Sequence, residues 1–372
     1  MGCNPYDFGS LSRYAEFIFC ENLNDEEKVM STLSQISKNA EKRMVLFCTS
    51  DLHVLFISRN REILKKRYDF VLPDHNIIET LMDKKNLNGF AQKHGFPAPK
   101  TFFSQNESDI HEIAKTIHYP CVVKPLYRTA YWSQNVPPEK KVLKADSAVD
   151  LKQKIKEMNI ANQSLILQEW IPGGDEQVYF CLAYFNEEGQ PLALFNGRKL
   201  RQYPPLTGVT SVAESIQNKV LSSMAVDFLK TGGCKGLCSV EFKYDNRDNS
   251  FKITEPTIGR VDLQEGISTQ AGLDIPFIAY QDAIKKAQYF QSDYRIGLKW
   301  INEPFELNAF LTQRRINGYS AGQFFHPYHG QRSFAVMAWD DPKPFLFFLK
   351  RACERGGRYF KRVFSKNVRQ DA

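Results

Sequence analysis

Residues 43–58, RMVLFCTSDLHVLFIS, run apolar, break at a Ser/Asp turn and resume as a second apolar element. A short apolar run bounded by turn residues is the pattern of a buried strand. REILKKRYDFVLPD continues as a helix and a short strand, so the alternation predicts a small α/β unit ending near residue 78. Over residues 77–95 the apolar positions of IIETLMDKKNLNGFAQKHG recur at helical spacing as far as Gly95. The two prolines of GFPAPKT then exclude further helix. Residues 1–40 are polar and mixed and say little about structure.

From Thr101 to about Lys285 short β-rich runs (CVVKP, SLILQEWI) alternate with helical patterns (SAVDLKQKIKEM, NKVLSSMAVDFLKTGG). VYFCLAYFNEEGQPLALF predicts a hairpin, two strand runs around an Asn-Glu-Glu-Gly turn. LCSVEFKYDNRDNSFKITEPT predicts a second. Its returning strand, FKITEPTIGR, alternates apolar residues and then places Glu255 on the line of Phe251 and Ile253. Pairing Tyr244 with Lys252 sets Glu241 directly opposite Glu255, with Thr257 on the same face. Two facing carboxylates repel unless a cation lies between them, and magnesium prefers carboxylate oxygens. A register shifted by one or two residues would instead leave both acids at a wet edge. Lys124 ends the strand CVVKP, where a lysine either snorkels to the surface or holds an anion. Gln168 and Glu169 end another strand before a Pro-Gly-Gly turn and two further acids, Asp175 and Glu176.

Length and composition narrow the class. A chain of 372 residues with 42% hydrophobic and 24% charged content predicts a soluble protein of two or three structural units. Its longest apolar runs fall short of the ~20 residues that span a membrane. MGCNPY has Tyr6 where a myristoylation signal has Ser or Thr, so the expected location is cytoplasmic. Cysteines scattered through apolar segments fit reduced core thiols, and CKGLC lacks zinc-ligand spacing. Residues 343–369 hold nine basic residues and one acid, a local +8 against +7 for the whole chain. The basic character therefore belongs to an aromatic-rich tail, FLFFLKRACERGGRYFKRVF. That tail suits either an anionic membrane surface at the inner face or docking on the body.

Taken in order, these segments resemble the ATP-grasp superfamily, the fold of D-alanine–D-alanine ligase, biotin carboxylase and many carboxylate–amine ligases. The resemblance covers about residues 43–285, about two thirds of the chain. It implies an α/β protein, α+β in its ATP-grasp part. A small Rossmann-like unit (1–78) would precede an ATP-grasp domain (79–285) with a small lobe about 101–170 and a large lobe about 171–285. A C-terminal extension (286–372) would follow. DKKNLNGFAQKHGFPAPKT and VVKP are similar to the family's nucleotide-lysine segments, which implies Lys84 and Lys124 on phosphates. QEWIPGGDE resembles its hinge, which implies Gln168, Glu169, Trp170 and Ile171 at adenine, the last two through backbone, and Asp175 or Glu176 at ribose. GLCSVEF and FKITEPT look like the paired metal strands, which implies Glu241, Glu255 and Thr257 around one or two magnesium ions, with manganese as a substitute. Thr257 stands where the family commonly has asparagine. Arg260 is similar to the arginine that steadies the acyl phosphate, and Arg198, Lys199 and Arg201 fit the segment that brings cations to the γ-phosphate. LYRTAYWSQN has no glycine where many members have a Gly-rich phosphate loop, so Arg128, Tyr131, Trp132 and Ser133 would cover phosphates or bind substrate.

The resemblance implies an ATP-dependent carboxylate–amine ligase that activates an acid as an acyl phosphate. Its acid would be a small molecule or a glycan-borne or lipid-linked carboxylate, and its partner an amine; a homodimer stays open. Two alternatives stand beside it: a phosphotransferase on the same fold, for which His326 and His329 are the obvious histidines, and a non-catalytic membrane- or nucleic-acid-binding protein led by its tail. No specific nucleic acid is expected.

Overall fold

In the computed structural model, residues 1–2, 8–38, 40–127, 129–136, 142–286, 288–318 and 320–354 are described. The chain divides into two compact units, one of Lys42–Ile301 with Phe305–Ser333, the other of Met1–Glu41, Asn302–Pro304 and Phe334–Ala372. Among the described residues the first unit holds strands β1 (Met44–Val45), β2 (Tyr68–Asp69), β3 (Thr101–Ser104), β4 (Cys121–Pro125), β5 (Leu143–Ala145) and β6 (Leu165–Glu169). It continues with β7 (Val178–Phe185), β8 (Pro191–Tyr203), β9 (Val209–Ile216), β10 (Gly236–Asp245), β11 (Ser250–Ile258) and β12 (Lys299–Ile301), and with β13 (Arg332–Phe334) as far as Ser333. β1 and β2 pair in parallel, β3-β6-β4-β5 form a four-stranded sheet, and β11-β10-β7-β8-β9-β12-β13 form a larger one.

The two larger sheets are covered by helices. In the small sheet Cys121, Val123, Leu165 and Leu167 pack with Ile110, Ile113, Leu151 and Ile155 of the helices Glu107–Thr116 and Ala148–Glu157. In the large sheet Phe180, Leu182, Tyr184 and Phe195 pack with Ile267, Ile275 and Ile278 of the helices Gly266–Ala271 and Ile275–Ala283. β7 lies inside that sheet and is apolar along almost its whole length, as a strand covered on both faces must be.

Two local expectations are corrected. The helix expected over 77–95 is two, His75–Met82 and Lys84–Lys93. Asp83 between them is extended, and its carboxylate accepts from the Lys85 and Asn86 N–H groups at 2.9 Å each. This side chain caps a new helix where a continuing one would have supplied backbone carbonyls. LYRTAYWSQN is also not all loop, because Ala130–Asn135 is helical with Thr129 as N-cap. Trp132 is buried in the small-sheet core and the Tyr131 hydroxyl donates to the Asn159 carbonyl, which takes both away from phosphates. Arg128 lies outside the described residues.

The second hairpin forms with a refinement of register. Glu241 does face Glu255, but Tyr244 faces Phe251 and Lys243 faces Lys252. Thr254 is the extra residue, a bulge between the Phe242–Ile253 and Glu241–Glu255 pairs. The hairpin is tied at both ends. Ile253 N–H donates to the Pro97 carbonyl at 2.7 Å, and past the strand Val261 N–H donates to the Cys48 carbonyl at 3.1 Å. Gly236, with φ +78°, opens β10 where a Cβ would stand 2.1 Å from the Val71 carbonyl oxygen, so only glycine lets these backbones approach.

In the second unit the Glu303 carboxylate accepts from the N–H groups of Ala335, Val336 and Met337, and Ser12 donates to Asp341 at 2.5 Å. Residues 343–354 of the basic tail are helical, and the rest of the tail, 355–372, lies outside the described residues. Among the described residues no helix is long and apolar enough to cross a membrane.

Candidate active site

An open cleft lies between the small sheet, the helix Lys84–Lys93 and β11. Leu87, Ala91, Ala98 and Ile166 give it apolar walls, and Lys84, Lys124, Gln168 and Thr254 are among its polar lining. An apolar cleft with a few convergent polar groups is the usual form of a small-molecule site.

Lys84 reaches it because Asp83 starts a helix one residue earlier, and Lys124 because β4 ends there. Lys124 Nζ donates to Gln168 Oε1 at 3.1 Å. Burial pulls the Lys124 ammonium below its ordinary range, while Glu255 and Glu241 act the other way. Glu255 is reached by solvent yet ringed by protein. That crowding, and the facing Glu241, push its carboxyl above the usual carboxylate range, while Lys124, Lys84 and Lys199 pull it down. Three lysines and two glutamates thus share one electrostatic neighbourhood, a balance suited to polyphosphate with a divalent ion.

Lys199, buried in β8, donates to Glu241 Oε2 and, at 3.2 Å, to Gln202. Thr254, at the bulge, donates to the Glu241 carbonyl at 3.1 Å. Among the described residues no group of three or more His, Cys, Asp and Glu side chains gathers to hold a metal. The candidate donors are two facing carboxylates, Glu241 and Glu255, with Thr257 further along β11 across from Ser239. Such a set fits magnesium, which leaves its other positions to water and phosphate oxygens. Lys199 offsets only part of the paired charge.

The other expected residues part company. Of the three cations on β8, only Lys199 meets the glutamate pair. Arg198 donates to Glu214 at 2.8 Å, and buried Arg201 pairs with Glu306 and donates to the Gln323 carbonyl. Arg260 donates to Asp51 at 2.5 Å. In the hinge, Glu169 accepts from Arg247 at 2.6 Å and from the Lys100 N–H at 3.2 Å. The Trp170 N–H, expected at adenine, already donates to the Pro120 carbonyl, and Ile171 is buried. Asp175 is buried too, accepting from Gln202 N–H, the Gln202 amide and Leu206 N–H at 2.7–3.0 Å. Its carboxylate braces the end of β8, which leaves exposed Glu176 as the acid open to a ribose. His326 and His329 are exposed and do not line the cavity.

Sequence reasoning missed Thr101, Thr254 and Asp51. Each is an ordinary polar residue whose partner lies across a strand or far along the chain, and only Asp51 had a local signal, the turn TSDLH.

No protein-family model matches the chain. It is 22% identical over 342 residues to the D-aspartate ligase of Enterococcus faecium (strain Aus0004), covering 85% of this chain and 79% of that protein. Among solved structures it resembles biotin carboxylase from Campylobacter jejuni, determined as an ATP-type complex, with a TM-score of 0.56 at 14% identity over 71% of this chain. It also resembles the L-amino acid ligase of Bacillus licheniformis, with a TM-score of 0.52 at 17% identity over 73%. The chain spans 58% and 63% of the lengths of those two proteins. At these identities the structures establish a shared fold.

Proposed function

The chain has the ATP-grasp fold, and from that premise we propose an ATP-dependent carboxylate–amine ligase that releases ADP and forms an amide. The observation that carries the reading is the facing Glu241–Glu255 pair, within electrostatic reach of Lys199 and of the two cavity lysines, Lys84 and Lys124. Lys84 and Lys124 hold the phosphates of ATP, and Glu176 meets the ribose. Glu241, Glu255 and Thr257 would hold magnesium, which would supply charge neutralisation for phosphoryl transfer.

An acid's carboxylate oxygen attacks the γ-phosphorus and ADP leaves. The amine nitrogen then attacks the acyl carbon, phosphate leaves, and the amine's proton passes to solvent. The protein's contribution is position and charge, with little covalent chemistry of its own. Lys199 keeps Glu241 in place, and Arg260, which donates to Asp51, would steady the acyl phosphate. We take D-aspartate, named for the Enterococcus relative, as the first acid to test, ahead of a glycan-borne or lipid-linked carboxylate.

The test is a screen of acid and amine pairs for ADP release by the full chain. The ligase reading expects release only when acid, amine, ATP and magnesium are all present. Release with a hydroxyl compound alone, and a phosphorylated product, would replace it with a phosphotransferase.

A further inference from the structure

We propose that Gln168 is a positioning residue for Lys124, setting the phosphate lysine, and does not read the nucleotide base. The proposal rests on the reading of the cavity as an ATP site.

Three neighbouring strands carry the arrangement. In the small sheet β6 lies between β3 and β4. Thr101 is directly opposite Gln168, and Lys124 is two residues along from Val122, the Gln168 partner on β4. Side chains on such a diagonal share a face and are within reach of long residues, and all three line the cavity.

The hydrogen bonds between them have one direction. Thr101 Oγ1 donates its single proton to the Pro99 carbonyl at 2.9 Å. Its lone pairs can then only accept, and they accept from Gln168 Nε2 at 2.8 Å. The amide is thereby turned with Oε1 toward Lys124 Nζ, 3.1 Å away. The opposite flip would set NH₂ against an ammonium and a carbonyl oxygen against hydroxyl lone pairs, so both ends select the same orientation.

The choice of an amide has a consequence. Lys199 is held by a carboxylate, Glu241, which offsets its charge. Lys124 is held by a neutral group, which fixes the ammonium without neutralising it and leaves two of its three donors for phosphate oxygens. A base reader would need its amide turned to the nucleobase, whereas this one is oriented by one bond at each end, to Thr101 on the sheet and to Lys124.

The experiment measures ADP and IDP binding by titration calorimetry on the full chain and on Gln168→Met, Thr101→Val, Lys124→Met and the Gln168→Met/Lys124→Met pair. Gln168→Met is expected to weaken ADP about tenfold, the worth of one charge-assisted hydrogen bond, with the ADP-to-IDP ratio unchanged. In the Lys124→Met background the same change is expected to cost less than about twofold, because the two residues act as a unit. Thr101→Val should lose about threefold, through the freed amide, and it carries the test if Gln168→Met does not fold. A fall in the ADP-to-IDP ratio, or the full loss persisting without Lys124, overturns the proposal. A wild-type chain that binds no ADP overturns the nucleotide reading first, and this one with it.

Discussion

At the scale of single residues, the two acids of the central site and one acid beyond it make different predictions. Glu255→Gln removes one charge from the facing pair but keeps the shape of the side chain. Magnesium-dependent ADP release should fall by at least about 100-fold, with the thermal melt close to wild type; surviving activity in a steady-state assay would sink the metal assignment. Glu265 is buried beside Asp262, and burial first, then that neighbour, push its carboxyl up to about 8, with Ser268 acting the other way. Its folded pKa lies above its unfolded one, so the folded state keeps a proton that the unfolded chain releases. Stability from this group is full below about pH 4.5, falls as pH rises, and levels off above about 8. Glu265→Gln, neutral throughout, should therefore gain melting temperature relative to wild type between pH 5 and 8; parallel curves in a pH series of melts would contradict this. Glu241, Glu255, Lys84 and Lys124 were legible because a charge in an otherwise apolar or periodic run stands out. Thr254, Thr101 and Asp51 were not, since nothing local marks a hydroxyl or a carboxylate whose partner is chosen by the fold.

Among elements, the hinge turn separates two neighbouring acids that look alike in sequence. Asp175 braces the end of β8 through three accepted hydrogen bonds, and Glu176 is exposed. Asp175→Ala should cost about 2–4 kcal/mol in denaturant unfolding, because it strands buried donors. Glu176→Ala should leave that unfolding unchanged and raise the KM for ATP about fivefold, roughly one lost hydrogen bond. Equal stability losses in the two variants would refute the division of roles. Hydrophobic pattern located the strands that end in Lys124 and Gln168 and the turn of the second hairpin. It missed the break at Asp83 and the bulge at Thr254, since a capping side chain and an added residue both leave the apolar spacing nearly unchanged.

For the whole molecule, the fold was legible in the order of its segments more than in any one of them. The β8 cations show the limit of that reading: three basic residues in four positions end on Glu214, Glu241 and Glu306, three acids far apart in sequence. If the cavity takes the nucleotide, MgADP at 100 times its Kd should stabilise the chain by about 2.7 kcal/mol. A chelator should remove the part owed to the metal, and a flat melting curve across that titration would contradict it. The central claim, an acyl phosphate formed from a carboxylate, is tested most directly by following oxygen. D-aspartate, or whichever acid the screen selects, is labelled with heavy oxygen in its carboxylates and turned over with ATP and amine in ordinary water. The account predicts one labelled oxygen in each inorganic phosphate released; phosphate without label would contradict it.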